Sequence, residues 1–110
     1  MSDELVITLH HMTDPGHGWL VVPFGLIRSL EIDVMKVSSY SYMNRREGLA
    51  YLEEDCDAGL LLEAAEDAGV EVNIVTIHTN EQSSIRRLPA FVGVYEMDHR
   101  ARSRPRACDL

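Results

Sequence analysis

A six-residue segment of turn-forming residues, TDPGHG at 13–18, most constrains the fold because it separates two runs rich in β-forming side chains. Asp14 can accept hydrogen bonds from the turn that it begins, the proline fixes its own φ, and the two glycines permit positive φ. The flanking runs, LVITLHHM at 5–12 and WLVVPF at 19–24, therefore predict two strands joined as a hairpin or by a wide loop. Pro23 lacks a backbone donor and should end the second strand.

The rest of the chain predicts one short helix, one longer helix and three or four further strands. The spacing of apolar residues predicts the short helix at 24–32 and the main helix at about 57–68. Strands are expected at 36–42, 49–54 and 70–78, with a turn at 43–48 and one more strand around 91–95. Because short connections favour antiparallel neighbours, we expect an α+β fold with a single antiparallel sheet of four to six strands and the main helix on one face.

The ends and the buried side of the main helix follow from its sequence. Asp55 or Asp57 can cap its N-terminus, and Gly69 suits the left-handed position after its last turn. The apolar stripe expected to face the sheet consists of Ala58, Leu61, Leu62, Ala65 and Ala68.

Length and charge are those of a small acidic domain. The chain has 110 residues and a formal net charge of −8, which suits a single core. Residues 1–97 are expected to form one α+β domain and to repel polyanions such as free nucleic acid, whereas the Arg-rich residues 98–110 should form a flexible tail. No apolar run is long enough to span a membrane, and no signal peptide is recognisable, so we expect a cytosolic location.

A metal-dependent enzyme is the main catalytic alternative that the sequence leaves open. His10, His11 and His17 lie near the first turn, with His78 further along, and a zinc hydrolase needs three ligands and an open position. Because His10 and His11 are consecutive on a strand, they point to opposite faces and only one could join such a site. No metal or cofactor motif is present, so we expect no cofactor.

The two cysteines, Cys56 and Cys108, are too few for a disulfide framework and do not form a zinc spacing. Glu54, Asp55 and Asp57 surround Cys56 and stabilise its neutral thiol, which argues against a catalytic nucleophile. Both cysteines should be reduced in the cytosol. An intersubunit disulfide at Cys56 under oxidising conditions is a further hypothesis, tested by gel migration without reductant.

Aromatic residues can serve either packing or partner binding. Tyr40 and Tyr42 share one face of a predicted strand, and Tyr51 lies on its partner, so cross-strand packing explains all three. The alternative is an aromatic sheet face that binds another protein or a second copy of the chain. Trp19 directly follows the first turn and either fills the core or anchors a partner.

The segment 51–72 contains eight carboxylates and no basic residue: Glu53, Glu54, Asp55, Asp57, Glu63, Glu66, Asp67 and Glu71. Their mean spacing, on the order of 4 Å, resembles the spacing of about 3.4 Å between phosphates of one DNA strand. Helix stability does not favour this arrangement, because like charges repel at i,i+4 and the last helical turn prefers cations. The segment is therefore either an ordinary solvated face or a surface that imitates a polyanion.

Three segments, HHMTDPGHGWLVVP, SSYSYMNRREGLAYLEEDCDA and IHTNEQSSIR, resemble a group of small, mostly uncharacterised proteins of bacterial chromosomes, phages and plasmids. The resemblance covers about residues 9–87, with the D-P-G-H-G-W turn at 14–19 and the Y-L-E-E-D-C-D-A junction at 51–58. It implies no catalytic residue. In size, charge and setting the chain is also similar to type I anti-CRISPR proteins, some of which act as DNA mimics on the DNA-recognising subunit of a host complex.

Together these patterns predict a non-enzymatic, anti-CRISPR-like inhibitor of a host nucleic-acid-targeting defence complex. Its eight carboxylates would occupy a basic DNA-binding groove on a protein subunit of that complex. The alternatives are a small metal-dependent enzyme that uses the hairpin histidines and a dimeric protein-binding module.

Overall fold

The computed structural model describes residues 5–91, which form five strands, two α-helices and two short 3-10 turns. The strands are β1 (Leu5–Thr13), β2 (Gly18–Pro23), β3 (Tyr42–Asn44), β4 (Leu49–Glu53) and β5 (Val70–His78). The helices are α1 (Phe24–Ser29) and α2 (Ala58–Asp67), and the 3-10 turns are Val34–Lys36 and Ser84–Arg87. The element order is therefore the one expected, and the predicted tail at 98–110 lies outside the described residues.

The five strands form one mixed sheet in the order β3-β4-β2-β1-β5. The pairs β1–β2, β2–β4 and β3–β4 are antiparallel, which confirms an α+β fold with a mostly antiparallel sheet. The expectation that every neighbour is antiparallel was wrong at one edge, where β5 runs parallel to β1 from Leu5↔Val70 to Thr13↔His78. β4 runs in the same direction as β1, because both are antiparallel to β2. The crossover through α2 gives β5 the direction of β4, so β5 is parallel to β1 when it docks beside it.

One face of the sheet carries the core. Leu9, Leu20, Val22, Ala50 and Leu52 point to this face from β1, β2 and β4, as the strand registers require. Ile27 of α1 and Ala58 and Leu61 of α2 belong to the same cluster, so both helices cover this face, which we call the helix face.

Two residues of the main helix that were predicted to be buried are exposed. Its predicted stripe is buried at Ala58, Leu61 and Ala65, but Leu62 and Ala68 are exposed. Gly69 has a φ of 74°, as a residue in the left-handed position after a helix should. Within residues 5–91, neither helix is long and apolar enough to cross a membrane.

The strand predicted at 36–42 is present in the element order, but its predicted bounds were wrong. Residues 38–41 form an irregular turn, and β3 begins only at Tyr42. The backbone N–H of Ser38 and the hydroxyls of Ser38 and Ser41 donate to the carboxylate of Asp57, so side-chain bonds hold this segment where strand pairing was expected.

The last predicted strand, around 91–95, lies mostly outside the described residues. Ala90 forms an isolated antiparallel bridge with Tyr42, and the Phe91 N–H donates to the Ser41 carbonyl at 2.8 Å. The segment at 89–91 therefore runs beside the outer edge of β3.

Candidate functional site

The eight carboxylates of the segment 51–72 are divided between the interior and the surface. Glu53 is 4% exposed and Asp57 is 0% exposed, so neither side chain is accessible to a partner. The predicted partner-binding role of these two residues was therefore wrong. Each of them instead holds a neighbouring loop, by collecting hydrogen bonds from groups that would otherwise be buried without partners.

Glu53 closes the turn between β4 and α2. Its Oε1 atom accepts the backbone N–H groups of Asp55 at 2.8 Å and Cys56 at 2.9 Å. Its Oε2 atom lies 3.2 Å from Nδ1 of His17, which belongs to the turn between β1 and β2. One carboxylate thus connects two loops at the same end of the sheet.

Asp57 connects the start of α2 to the irregular segment before β3. It accepts the backbone N–H of Ser38 at 3.0 and 3.1 Å, the Ser38 hydroxyl at 2.7 Å and the Ser41 hydroxyl. Although Asp57 occupies the N-cap position of α2, its side chain makes no capping hydrogen bond, so the predicted capping role was wrong. The carboxylate points away from the helix because the serines compete for it.

Two further acids, Glu54 and Glu71, do not belong to the exposed acidic surface of α2. Glu54 is paired with a histidine, and Glu71 points away from the helix face. Glu54 lies 2.8 Å from Nε2 of His11, which pairs it with the protein's own side chain. Glu71 stands opposite Val6 in the register of β1 and β5 and points away from the helix face, because its neighbour Val72 packs against the core on that face. The eight charges therefore do not form one continuous surface.

The exposed acids that remain near α2 are Asp55, Glu63, Glu66 and Asp67. Glu63, Glu66 and Asp67 lie three and four residues apart, so they project from one side of the helix, which we call the α2 acidic face. Within residues 5–91, no basic side chain forms an ion pair with any of these three acids. Leu62, adjacent to Glu63, is 37% exposed and adds an apolar side chain beside them.

An ion pair between the buried Asp14 and the partly exposed Arg86, which the sequence did not reveal, holds the first turn. Oδ1 of Asp14 accepts the N–H groups of Gly16 and His17, both at 3.0 Å, as expected for a residue that caps its own turn. Arg86 donates to the same carboxylate through Nε at 2.7 Å and Nη2 at 2.9 Å, and the Ser83 N–H donates at 2.9 Å.

These bonds to Asp14 have an electrostatic consequence. The Arg86 guanidinium, followed by the Ser83 N–H, holds the pKa of Asp14 far below its ordinary value of 3.8. The Asp14 carboxylate in turn raises the pKa of Arg86. Only the turn-forming tendency of Asp14 was visible in the sequence, because 72 positions separate the two partners.

The side chains of Trp19, Tyr40 and Tyr42 meet His17, Glu53 and Arg86 around a pocket of about 50 Å³. Trp19 is 1% exposed and therefore belongs to the interior, with the Arg86 guanidinium 5.3 Å from its ring centroid and the Tyr42 ring at 6.1 Å. Its Nε1 atom is buried and has no hydrogen-bond partner among residues 5–91. A pocket of this size can hold water.

The histidines are distributed among separate partners. His11 lies 3.2 Å from Thr76 as well as 2.8 Å from Glu54, and His78 lies 2.7 Å from Thr13 and 3.1 Å from Asn80. Among residues 5–91, no group of three or more His, Cys, Asp or Glu side chains is placed to hold a metal ion. The geometry therefore gives no support to the alternative of a zinc site built from His10 or His11, His17 and His78.

Cys56 is half-buried and disulfide-bonded, so the expectation that it is a reduced thiol was wrong. In this state it does not present a thiolate nucleophile. Cys108 lies outside the described residues. The hypothesis of an intersubunit disulfide needs a free thiol at Cys56, which the bonded residue does not offer.

Comparisons of this chain with protein-family models, with curated proteins and with solved structures each gave no match. The resemblance drawn from the motifs therefore stays an expectation. The residues of those motifs nevertheless meet in space: Asp14, His17 and Trp19 come from the first motif, Tyr40, Tyr42, Glu53 and Asp57 from the second, and Arg86 from the third.

Proposed function

We propose that this protein is a non-enzymatic inhibitor that binds a basic, DNA-binding surface of a host nucleic-acid-targeting complex, in the manner of an anti-CRISPR protein. The α2 acidic face, with Asp55 beside it, takes the place of DNA phosphates. The protein would bind this complex in the host cytosol.

One observation carries the proposal: Glu63, Glu66 and Asp67 are exposed on one side of α2 and have no basic partner within residues 5–91. The last turn of α2 contains no basic residue, although the negative end of a helix dipole favours one. A sequence selected for helix stability alone would place lysine or arginine there. The unpaired acids are therefore better explained by a cationic partner than by the fold.

The exposed Leu62 supports a protein as the partner. An apolar side chain among charges is typical of a protein–protein contact, in which a buried centre is surrounded by polar groups. The acids would steer a surface rich in lysine and arginine towards this centre, and higher salt would slow the association.

The site is smaller than the eight-residue surface expected from the sequence. At 1.5 Å per residue, Glu63 to Asp67 span only about 6 Å along the helix axis. The partner surface is therefore a short patch of basic residues, equivalent to a few phosphates, and not the full length of a DNA-binding groove.

The test is a triple charge reversal, Glu63→Lys, Glu66→Lys and Asp67→Lys. The matched control reverses three exposed glutamates outside α2, namely Glu31→Lys, Glu47→Lys and Glu81→Lys, and changes the net charge equally. Inhibition is measured as the plating efficiency of a targeted phage on cells with a type I CRISPR–Cas system, and as DNA binding by the purified effector complex in gel shifts. Lysine suits the last turn of a helix, so the α2 variant should remain folded by circular dichroism.

We expect the control variant to inhibit like the wild type and the α2 variant to lose inhibition. Inhibition retained by the α2 variant would exclude this face as the site. Equal loss in both variants would show that only net charge matters, and absence of inhibition by the wild type would remove the anti-CRISPR assignment.

A further inference from the structure

The outer edge of β5 is a pairing surface that no described residue occupies. Among residues 5–91, β5 is the last strand in the sheet order and pairs only with β1, through all nine of its residues. The backbone groups that face away from β1 therefore have no strand partner within residues 5–91. A row of such groups is a template for another β-strand.

Residues 89–91 protect the opposite edge of the sheet, whereas no residue within 5–91 pairs with the outer edge of β5. β3 has only three residues, and the Met43 N–H donates to the Pro89 carbonyl at 2.9 Å, so the segment at 89–91 covers it. β5 has the sequence VEVNIVTIH, with no proline, no lysine and a single acid, Glu71, near its start. It thus lacks the features by which proteins usually block an edge strand.

Exposed apolar side chains of β5 and of the neighbouring β1 lie on both faces of the sheet near this edge. On the helix face, Leu5 is 58% and Ile74 is 45% exposed. On the other face, Val6 is 51%, Val75 is 47% and Ile77 is 44% exposed. A partner that lay on one face would cover only one of these two groups, so the occupant that fits must continue the sheet itself.

We propose that β5 pairs with β5 of a second copy of this chain, antiparallel and about a two-fold axis, so that two sheets become one. Antiparallel pairing keeps each side chain on its own face, which places the apolar residues of one copy beside those of the other on both faces. When the strands pair along their whole length, Ile74 lies opposite Ile74 of the partner.

The charges of β5 fit a self-pairing. In this register Glu71 lies opposite the partner's Ile77, and the two copies of Glu71 are separated by six residues, or about 20 Å at 3.4 Å per residue. This distance exceeds the Debye length of about 8 Å at physiological salt, so the only charged residue of the strand does not oppose the contact. The net charge of −8 on each copy does oppose it, so the dimer should strengthen as salt is added.

The salt dependence distinguishes this proposal from the proposed function. Binding of the α2 acidic face to a basic partner weakens with salt, whereas self-association through β5 strengthens. Either proposal can fail without the other, because they use different surfaces and opposite electrostatic signs.

The experiment measures molar mass by light scattering and sedimentation over a wide range of concentration, for the wild type and two matched double variants. Val75→Lys with Ile77→Lys places two charges on the edge strand. Leu5→Lys with Val6→Lys places two charges at side chains of similar exposure on β1, one strand further in. Circular dichroism confirms that each variant is folded.

We expect a wild-type dimer, a dissociation constant raised more than about tenfold by the β5 variant, and a smaller effect of the β1 variant. A wild type that is monomeric at all concentrations would overturn the proposal. A dimer that survives the β5 variant would also overturn it, as would equal dissociation in both variants, because that result places the contact on a sheet face.

Discussion

Arg86 binds Asp14 through two parallel hydrogen bonds, from Nε to Oδ2 at 2.7 Å and from Nη2 to Oδ1 at 2.9 Å. The same guanidinium lies 5.3 Å from the ring centroid of Trp19, so it covers the interior aromatic residue while it holds the turn. Bidentate pairs of this kind are specific in geometry as well as strong. The contact holds the 3-10 turn at Ser84–Arg87 against the turn between β1 and β2.

The first prediction is that the Asp14–Arg86 pair makes stability depend on pH in the acid range. Because the pKa of Asp14 in the folded protein lies below its ordinary value of 3.8, the pair stabilises the fold above that pH and less so as pH falls below it. Asp14→Asn cannot ionise and should therefore flatten this dependence. The measurement is the thermal midpoint of wild type and variant from neutral pH to pH 3.

The matched control for that experiment is Asp67→Asn, which removes an exposed carboxylate without an ion pair in residues 5–91. Its curve should keep the shape of the wild-type curve. If Asp14→Asn also ran parallel to the wild type at every pH, Asp14 would not be the group that titrates.

The second prediction concerns Asp57, which should stabilise the protein as an acceptor for Ser38 and Ser41 and not as a helix cap. Serine is among the best N-cap residues, so Asp57→Ser would preserve a capping role. We expect this variant to lose at least about 3 kcal/mol of unfolding free energy, because several buried donors lose their acceptor at about 1–3 kcal/mol each. Urea denaturation followed by circular dichroism measures the loss.

Asp55→Ser is the control for that substitution, since Asp55 is exposed two positions away. It should change the unfolding free energy by no more than about 0.5 kcal/mol. A similar small change for Asp57→Ser would mean that capping, and not loop anchoring, is what this residue contributes.

Local patterns predicted most of the secondary structure. The hairpin, both helices, Gly69 and the alternation of β5 each depend on a few adjacent residues, whose preferences act over one turn or one strand. Tyr42 and Tyr51 also pair across β3 and β4 as expected. The parallel pairing of β5 with β1 depends instead on the edge of the sheet to which α2 returns the chain, and adjacent residues do not encode that.

The candidate site was harder to predict because the sequence does not show which carboxylates are buried and which are exposed. Nothing in YLEEDCDA separates Glu53 and Asp57, which are buried, from Glu54 and Asp55, which are exposed. Burial of the first two depends on donors that lie elsewhere in the chain, such as Ser38 for Asp57. The serines of SSYSY were the available signal, because hydroxyl groups that alternate with aromatic residues need acceptors when they are buried.

The third prediction uses two glycines of the α2 segment that should respond oppositely to alanine. Gly59 lies inside the helix without a positive φ, and a Cβ atom there would meet nothing within 4 Å. Gly59→Ala should therefore stabilise the protein by about 0.5–1 kcal/mol, since alanine loses less conformational freedom in a helix. Gly69 has a φ of 74°, and Gly69→Ala should destabilise it by about 1 kcal/mol because L-residues are strained there. Urea denaturation measures the change in unfolding free energy of both variants. An increase for Gly69→Ala would show that α2 does not end at this residue.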